Sequence, residues 1–113
     1  MNRFELIGNL TKDIELTKAG EASLAEFSLA VNRPYKNKGG ERVADFIRVK
    51  AWRETAENLA KYAKKGEKLY VEGEINTSTY EKDDKKNYVT EFVVRNFELL
   101  SAKKDKEEAG EQK

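Results

Sequence analysis

FIRVKAWRETAENLAKYAKKGEKLYVEG, residues 46–73, changes its period twice. Over residues 46–52 the side chains alternate, with Phe46, Arg48, Lys50 and Trp52 on one face and Ile47, Val49 and Ala51 on the other, the period of a β-strand. From Arg53 to about Lys65 the apolar residues Ala56, Leu59, Ala60 and Ala63 fall at helical spacing, and Gly66 follows where a C-cap glycine would sit. KLYVEGEINTSTY, residues 68–80, then returns to a β-type run. A strand, a helix and a strand are expected in succession, and no other part of the chain reads as a helix.

Working outward, FELIGNL (4–10) reads as a strand with Phe4 and Leu6 on one face, and with Gly8 at a bulge or a close backbone approach. The polar connection TKDIELTKAGE leads to LAEFSLAVNR (24–33), whose Ala25, Phe27, Leu29 and Val31 alternate with polar or small residues. Pro34 opens PYKNKGGER, and Gly39-Gly40 marks a loop or hairpin tip before the strand of residues 46–52. Downstream, EKDDKK (81–86) is a polar hairpin tip between residues 68–80 and the last β-type run, NYVTEFVVRNFELL (87–100). The order β-β-β-α-β-β is that of an all-β protein with one helix, the five-stranded OB barrel. One OB domain is expected over residues 1–100. SAKKDKEEAGEQK (101–113) has no aromatic or β-branched residue and reads as a disordered polar tail.

Composition narrows the chemistry. A chain of 113 residues suits one domain. It has neither Cys nor His, which removes disulfides, thiolate nucleophiles, the commonest metal ligand and the usual general base near neutral pH. No enzyme, metal or cofactor is therefore expected. Asp83-Asp84 is weak as a cation site, and NKGGER is not a phosphate loop. The N-terminus lacks the features of a secretory signal and no apolar run approaches membrane-spanning length, so a soluble, intracellular protein with no membrane partner is expected. Net charge is only +1, from 22 Lys plus Arg against 21 Asp plus Glu, so any anionic partner must be held by local charge.

Local charge does gather beside aromatic rings in three places. Tyr35, Lys36, Lys38 and Arg42 share one segment, Phe46, Arg48, Lys50 and Trp52 share the alternating strand, and Tyr80, Lys82, Lys85 and Lys86 share another. In an OB barrel these lie along the side that commonly holds oligonucleotides. Aromatic rings can stack bases without reading sequence while Lys and Arg follow the backbone, which suits a single strand. Alternation alone leaves a second reading open for Phe46 and Trp52, namely packing beneath the helix, on a hairpin or in a subunit interface.

IGNLTKDIEL, then FSLAVNRPYKNKGGERVADFIRVKAWRETAENLAKYAKKGEKLYVEG, then TSTYEKDDKKNYVTEFVV resemble, in this order and across roughly residues 1–100, the bacterial single-stranded DNA-binding proteins. The resemblance implies an OB-fold that assembles as a homotetramer, wraps single-stranded DNA without sequence preference, serves replication, recombination and repair, and works in the cytoplasm at the nucleoid. It places the stacking aromatics on Tyr35, Phe46, Trp52 and Tyr80 and a groove cation on Arg48. The DNA-binding set it completes is Tyr35, Lys36, Lys38, Arg42, Phe46, Arg48, Lys50, Trp52, Arg53, Tyr80, Lys82, Lys85 and Lys86. Two departures stand out. Asn76, Ser78 and Thr79 occupy positions that are often basic, and the sequence ends at GEQK without the family's acidic tip, so recruitment of repair enzymes through such a tip is not expected. A primosome-type accessory protein acting mainly through protein contacts, or an RNA-binding OB module, are the alternatives.

Overall fold

The strand that carries Phe46 and Trp52 lies inside a closed ring. The computed structural model describes residues 1–100, in which six strands and one helix follow in order. They are β1 (Phe4–Leu10), β2 (Leu16–Ala19), β3 (Ala22–Lys36), β4 (Arg42–Trp52), α1 (Arg53–Tyr62), β5 (Lys68–Lys82) and β6 (Lys85–Leu99). The sheet runs β1-β5-β6-β4-β3-β2 and closes where β1 returns to β3 through Asn9 opposite Ala30 and Leu10 opposite Leu29. Five strands thus form the ring and β2 is an added edge. β4 and β6 run parallel at Lys50 and Val93, while the other pairings are antiparallel. This is the OB barrel that the order of elements implied.

Closure depends on two glycines. A Cβ on Gly8 would stand 2.8 Å from the Ala30 carbonyl oxygen, so β1 and β3 meet only because that atom is missing. A Cβ on Gly73 would fall on the Val93 carbonyl, at the register shift that sets Glu72 opposite Asn96 but Gly73 opposite Val94. That shift leaves Arg95 as an extra residue in β6, a β-bulge that bends the strand toward its parallel contact with β4.

The inward rows fill the ring. Val49 and Ala51 of β4 are buried with Ala25, Phe27 and Leu29 of β3, Leu69 and Val71 of β5, and Val94 of β6. Phe4 meets Phe92 edge-on, with ring centroids 5.2 Å apart. The helix buries Ala56 and Leu59 against β3 and β4, with Glu54 in its first turn and Lys61 in its last, each of the sign that suits the helix dipole.

Local details differ from the sequence reading. Within the polar connection, Leu16–Ala19 forms β2 and turns at Gly20 onto β3. All four of its residues are exposed, so no hydrophobic alternation marked it. Pro34 lies within β3, between Asn32 and Lys36 where the pairing with β4 shifts, and its missing N–H removes no regular ladder bond there. The helix stops at Tyr62, and Gly66 (φ +89°) sits in the following turn, donating its N–H to the Leu10 carbonyl. Asp13 and Glu67 accept the Lys65 and Lys64 amides, giving the chain an alternative to a longer helix. Residues 101–113, expected as a disordered tail, lie outside the described residues.

Candidate nucleic-acid interface

β4 presents its outer row as the alternation required. Phe46 is 71% exposed, Tyr35 60% and Tyr80 51%, which excludes core packing for these three rings within one chain. Trp52 is half-buried, because the strand ends on it: Trp52 is extended and Arg53, the first helical residue, has φ +56°. A left-handed Arg is a strained conformation, and it turns the chain sharply from β4 into α1. Trp52 therefore keeps part of its ring at the end of the Phe46 row, with the Lys50 ammonium 5.6 Å from the ring centroid.

The two cations between these aromatics are not equivalent. Arg48 is 67% exposed and reaches Glu26 only at 3.7 Å. Lys50 is 16% exposed, bonded to Glu91 at 2.7 Å and 3.8 Å from Glu26. Neither carboxylate partner was visible in sequence reasoning, because each comes from a neighbouring strand. The Lys50–Glu91 contact joins the outer row of β4 to that of β6.

Two hairpin arms extend the site. Along the β5–β6 arm the register sets Asn76 opposite Glu91, Ser78 opposite Val89, Tyr80 opposite Asn87 and Lys82 opposite Lys85, so Tyr80, Lys82 and Lys85 share the face of Glu91. Lys86 pairs with Glu81 and Tyr88 with Thr79, on the opposite face. Tyr88 is 77% exposed and was not among the expected site residues; its alternation with Val89 and Thr90 gave no sign of which face it takes. Asp83 and Asp84 have φ +57° and +63°, the two left-handed residues of a tight hairpin turn, so their backbone serves the turn. Among the described residues no group of His, Cys, Asp and Glu is placed to hold a metal.

In the β3–β4 arm, Lys36 stands opposite Arg42, and Arg42 continues the Phe46 row by alternation. Lys38 lies in the turn closed by Asn37, which accepts the Gly40 and Glu41 amides. The arm is pinned beside Pro34 by Arg33, whose guanidinium donates to both Asp45 oxygens at 2.9 Å. That pair holds the Asp45 carboxyl below its usual range. Lys36, Lys38, Arg42, Lys82, Lys85 and Lys86 form no ion pair among the described residues. Free cations therefore sit on the two arms, and balanced charge sits between them.

A closed OB ring with exposed rings on a central strand and cations along two arms defines a nucleic-acid-binding barrel. The chain belongs to the single-strand binding protein family, whose pattern matches residues 1–100. It is 50% identical over 108 residues to single-stranded DNA-binding protein 3 of Listeria innocua, covering 93% of this chain and 67% of that one. It is 46% identical over 114 residues to single-stranded DNA-binding protein 3 of Streptococcus agalactiae, covering 98% and 82%. The single-stranded DNA-binding protein of Streptococcus mutans is 46% identical over 110 residues, covering 95% and 66%. No helix among the described residues is long and apolar enough to cross a membrane.

Proposed function

We propose that the protein binds single-stranded DNA with little sequence preference and coats it during replication, recombination and repair, in the cytoplasm at the nucleoid. It is a binding protein rather than an enzyme. The observation that carries this reading is Phe46, a ring 71% exposed in the middle of β4, with Tyr35, Trp52 and Tyr80 as further stacking rings and Lys36, Lys38, Arg42, Arg48, Lys82 and Lys85 as phosphate contacts; Lys86, on the other face of its arm, is not one of them. Arg53 extends the set beyond Trp52. Stacking needs unpaired bases, so duplex competes poorly. Counterion release gives a log–log salt slope of about 0.7 per phosphate neutralised. Titrating a dT oligomer at several salt concentrations, with matched duplex as competitor, tests both; equal affinity for duplex and single strand would remove the stacking mechanism.

The same reading includes a homo-oligomer, a tetramer. It is supported by β1, which pairs with β5 along Phe4–Asn9 but with β3 only at Asn9 and Leu10. The other edge of Phe4–Gly8 has no strand partner among the described residues, and Ile7 on this strand is 51% exposed. An open edge with an exposed apolar side chain invites a second copy. Mass in solution, with and without DNA, tests this part.

A further inference from the structure

We propose that the cleft between β4 and β6, with Glu26, Lys50 and Glu91 in a row across it, is a nucleobase subsite that accepts amino-bearing bases such as cytosine and disfavours thymine. The inference rests on the proposed single-strand binding and concerns how the bound strand is read at one place. The cleft encloses about 190 Å³ and is walled by apolar Val89 and Phe92 as well as by the charged residues.

Charge decides what enters it. Arg48 and Lys50 contribute two positive charges and Glu26 and Glu91 two negative ones, within 2.7 to 3.8 Å of each other, so the cleft has no net pull on a phosphate. Lys50 is also confined: it is 16% exposed, bonded to Glu91 and set over the Trp52 ring. The unpaired cations lie on the flanking arms, at Lys36 and Arg42 on one and Lys82 and Lys85 on the other. A strand whose phosphates follow the arms turns its bases toward the middle.

Hydrogen-bond order then decides which base fits. Glu26, Lys50 and Glu91 stand on the three neighbouring strands β3, β4 and β6, so the row reads acceptor, donor, acceptor. The pairing edge of thymine reads carbonyl, imide N–H, carbonyl, which is the same order, and places oxygen against carboxylate. Cytosine presents its N4 amino group beside the N3 acceptor. The amino group donates to Glu91 while Lys50 donates to N3, and the N6 amino group and N1 of adenine do the same; the O2 carbonyl that cytosine shares with thymine falls toward Glu26, so the two pyrimidines are told apart at Glu91 and Lys50. An acidic side chain accepting from the cytosine amino group is an established base contact. Glu91 uses only Oε2 toward Lys50, which leaves Oε1 for this bond.

The test compares oligomers of equal length made of dT or of 5-methyl-dC, which share the ring methyl group and differ at the pairing edge. Dissociation constants are measured for the parent protein and for Glu91→Gln, Glu26→Gln and Glu98→Gln. Losing a carboxylate tightens both oligomers through charge, and this common change cancels in the ratio of the two constants. A glutamine amide also donates to a thymine carbonyl, so the dT to 5-methyl-dC ratio should fall by at least about fivefold in Glu91→Gln, the lower end for one good base contact. It should stay unchanged in Glu26→Gln, which meets the O2 carbonyl common to both pyrimidines, and in Glu98→Gln at the far end of β6. Glu26 and Glu91 are each more than a third exposed, so these isosteric changes should keep the fold; should Glu91→Gln melt early, the parent protein carries the test with a 5-methyl-dC oligomer dimethylated at N4, which has lost the donor and should bind at least about fivefold more weakly than 5-methyl-dC itself. A ratio unchanged in Glu91→Gln, or N4-dimethylation that leaves binding unchanged, overturns the subsite. A parent protein that binds neither oligomer overturns the single-strand reading instead.

Discussion

Phe46→Ala separates binding from folding more cleanly than any other single change. With 71% of the residue exposed, less than a third of roughly 200 Å² of aromatic surface is covered in the free chain. At ~25 cal/mol per Å² that surface holds at most about 1.5 kcal/mol, and alanine keeps part of it. The variant should therefore lose about 1 kcal/mol or less, a Tm shift of about 5 °C at this size. Loss of one stacked base should cost roughly 1 to 3 kcal/mol, a range established on single-strand-binding barrels of this kind, or about a 5- to 150-fold rise in Kd. Val49→Ala, three positions along and on the other face at 2% exposure, should do the reverse. Two lost carbons at ~0.8 kcal/mol each, with the cavity left behind, cost about 2 kcal/mol of stability and little affinity. Both are read by thermal melting and by titrating Trp52 emission with a dT oligomer at fixed salt. If Phe46→Ala binds like the parent, no base stacks there. If it also loses more than ~3 kcal/mol of stability, the ring packs against a second copy instead.

Trp52 is the only tryptophan, so its emission reports one site per chain and should be strongly quenched by bound dT. Its position opposite Leu24 at the head of the helix means that Trp52→Ala should lose stability as well as affinity; a variant that melts like the parent would place the whole ring outside the fold. Gly73→Ala puts a methyl group on the Val93 carbonyl and should destabilise the barrel by several kcal/mol, on the order of other backbone-strained changes, whereas Gly40→Ala, which meets nothing within 4 Å but has φ +80°, should cost roughly 1 kcal/mol. Stability should form a plateau between about pH 5 and pH 9. Hydrogen bonds lower the Glu5 carboxyl, chiefly through Arg3, and the Glu72 carboxyl, chiefly through Tyr70. Their contribution is complete above the ordinary value near ~4 and is lost as pH falls through the lowered ones. Glu72 also pushes the Tyr70 hydroxyl up to about 12, so its contribution is complete below ~10 and lost as pH rises toward that value. A Tm that stays flat to pH 2 would show that this network adds nothing.

What the sequence revealed and what it hid follow from how far each signal reaches along the chain. The alternation of residues 46–52 was legible because β4 packs one face on the core and leaves the other open, so each residue type reports its own side. Phe46 could be picked out for the same reason, whereas Tyr35 and Tyr80, on arms exposed on both faces, were marked by the cations beside them. Leu16–Ala19 was not legible, since an edge strand exposed on all four residues has no buried row to mark it. The end of α1 was overestimated because Ala63 keeps the helical spacing, and Ala63 is indeed buried, but the capping carboxylates that compete with further turns arrive from Asp13 and Glu67. The charge state of the binding face was hidden in the same way: Lys50 meets Glu91 across 41 positions of sequence, and a local reading counts that lysine as free.

The bulge at Arg95 shows how one residue sets the face of a whole arm. In FVVRNFEL, residues 92–99, the core-facing side chains are Phe92 and Val94 before the register shift and Phe97 and Leu99 after it. The inward phase therefore changes from even to odd numbers. Were Arg95 paired like its neighbours instead of bulged, the inward positions of the barrel-forming half, 97 and 99, would be continued along the arm by 95, 93 and 91. Glu91 would then turn into the core and Phe92 into solvent. With the bulge, Glu91 emerges beside Lys50, and Tyr80 follows on the same outer face two pairs further along the arm. Deleting Arg95 makes Asn96 and Val94 consecutive opposite Glu72 and Gly73, so both halves of β6 keep their faces: Glu91 stays beside Lys50 and Tyr80 stays in line with Phe46. The variant should lose stability with the bend and with the exposed ion pair to Glu74 while keeping its affinity for dT. A deletion variant that folds but no longer binds dT would show that the bend, and not the phase of the strand, positions the arm.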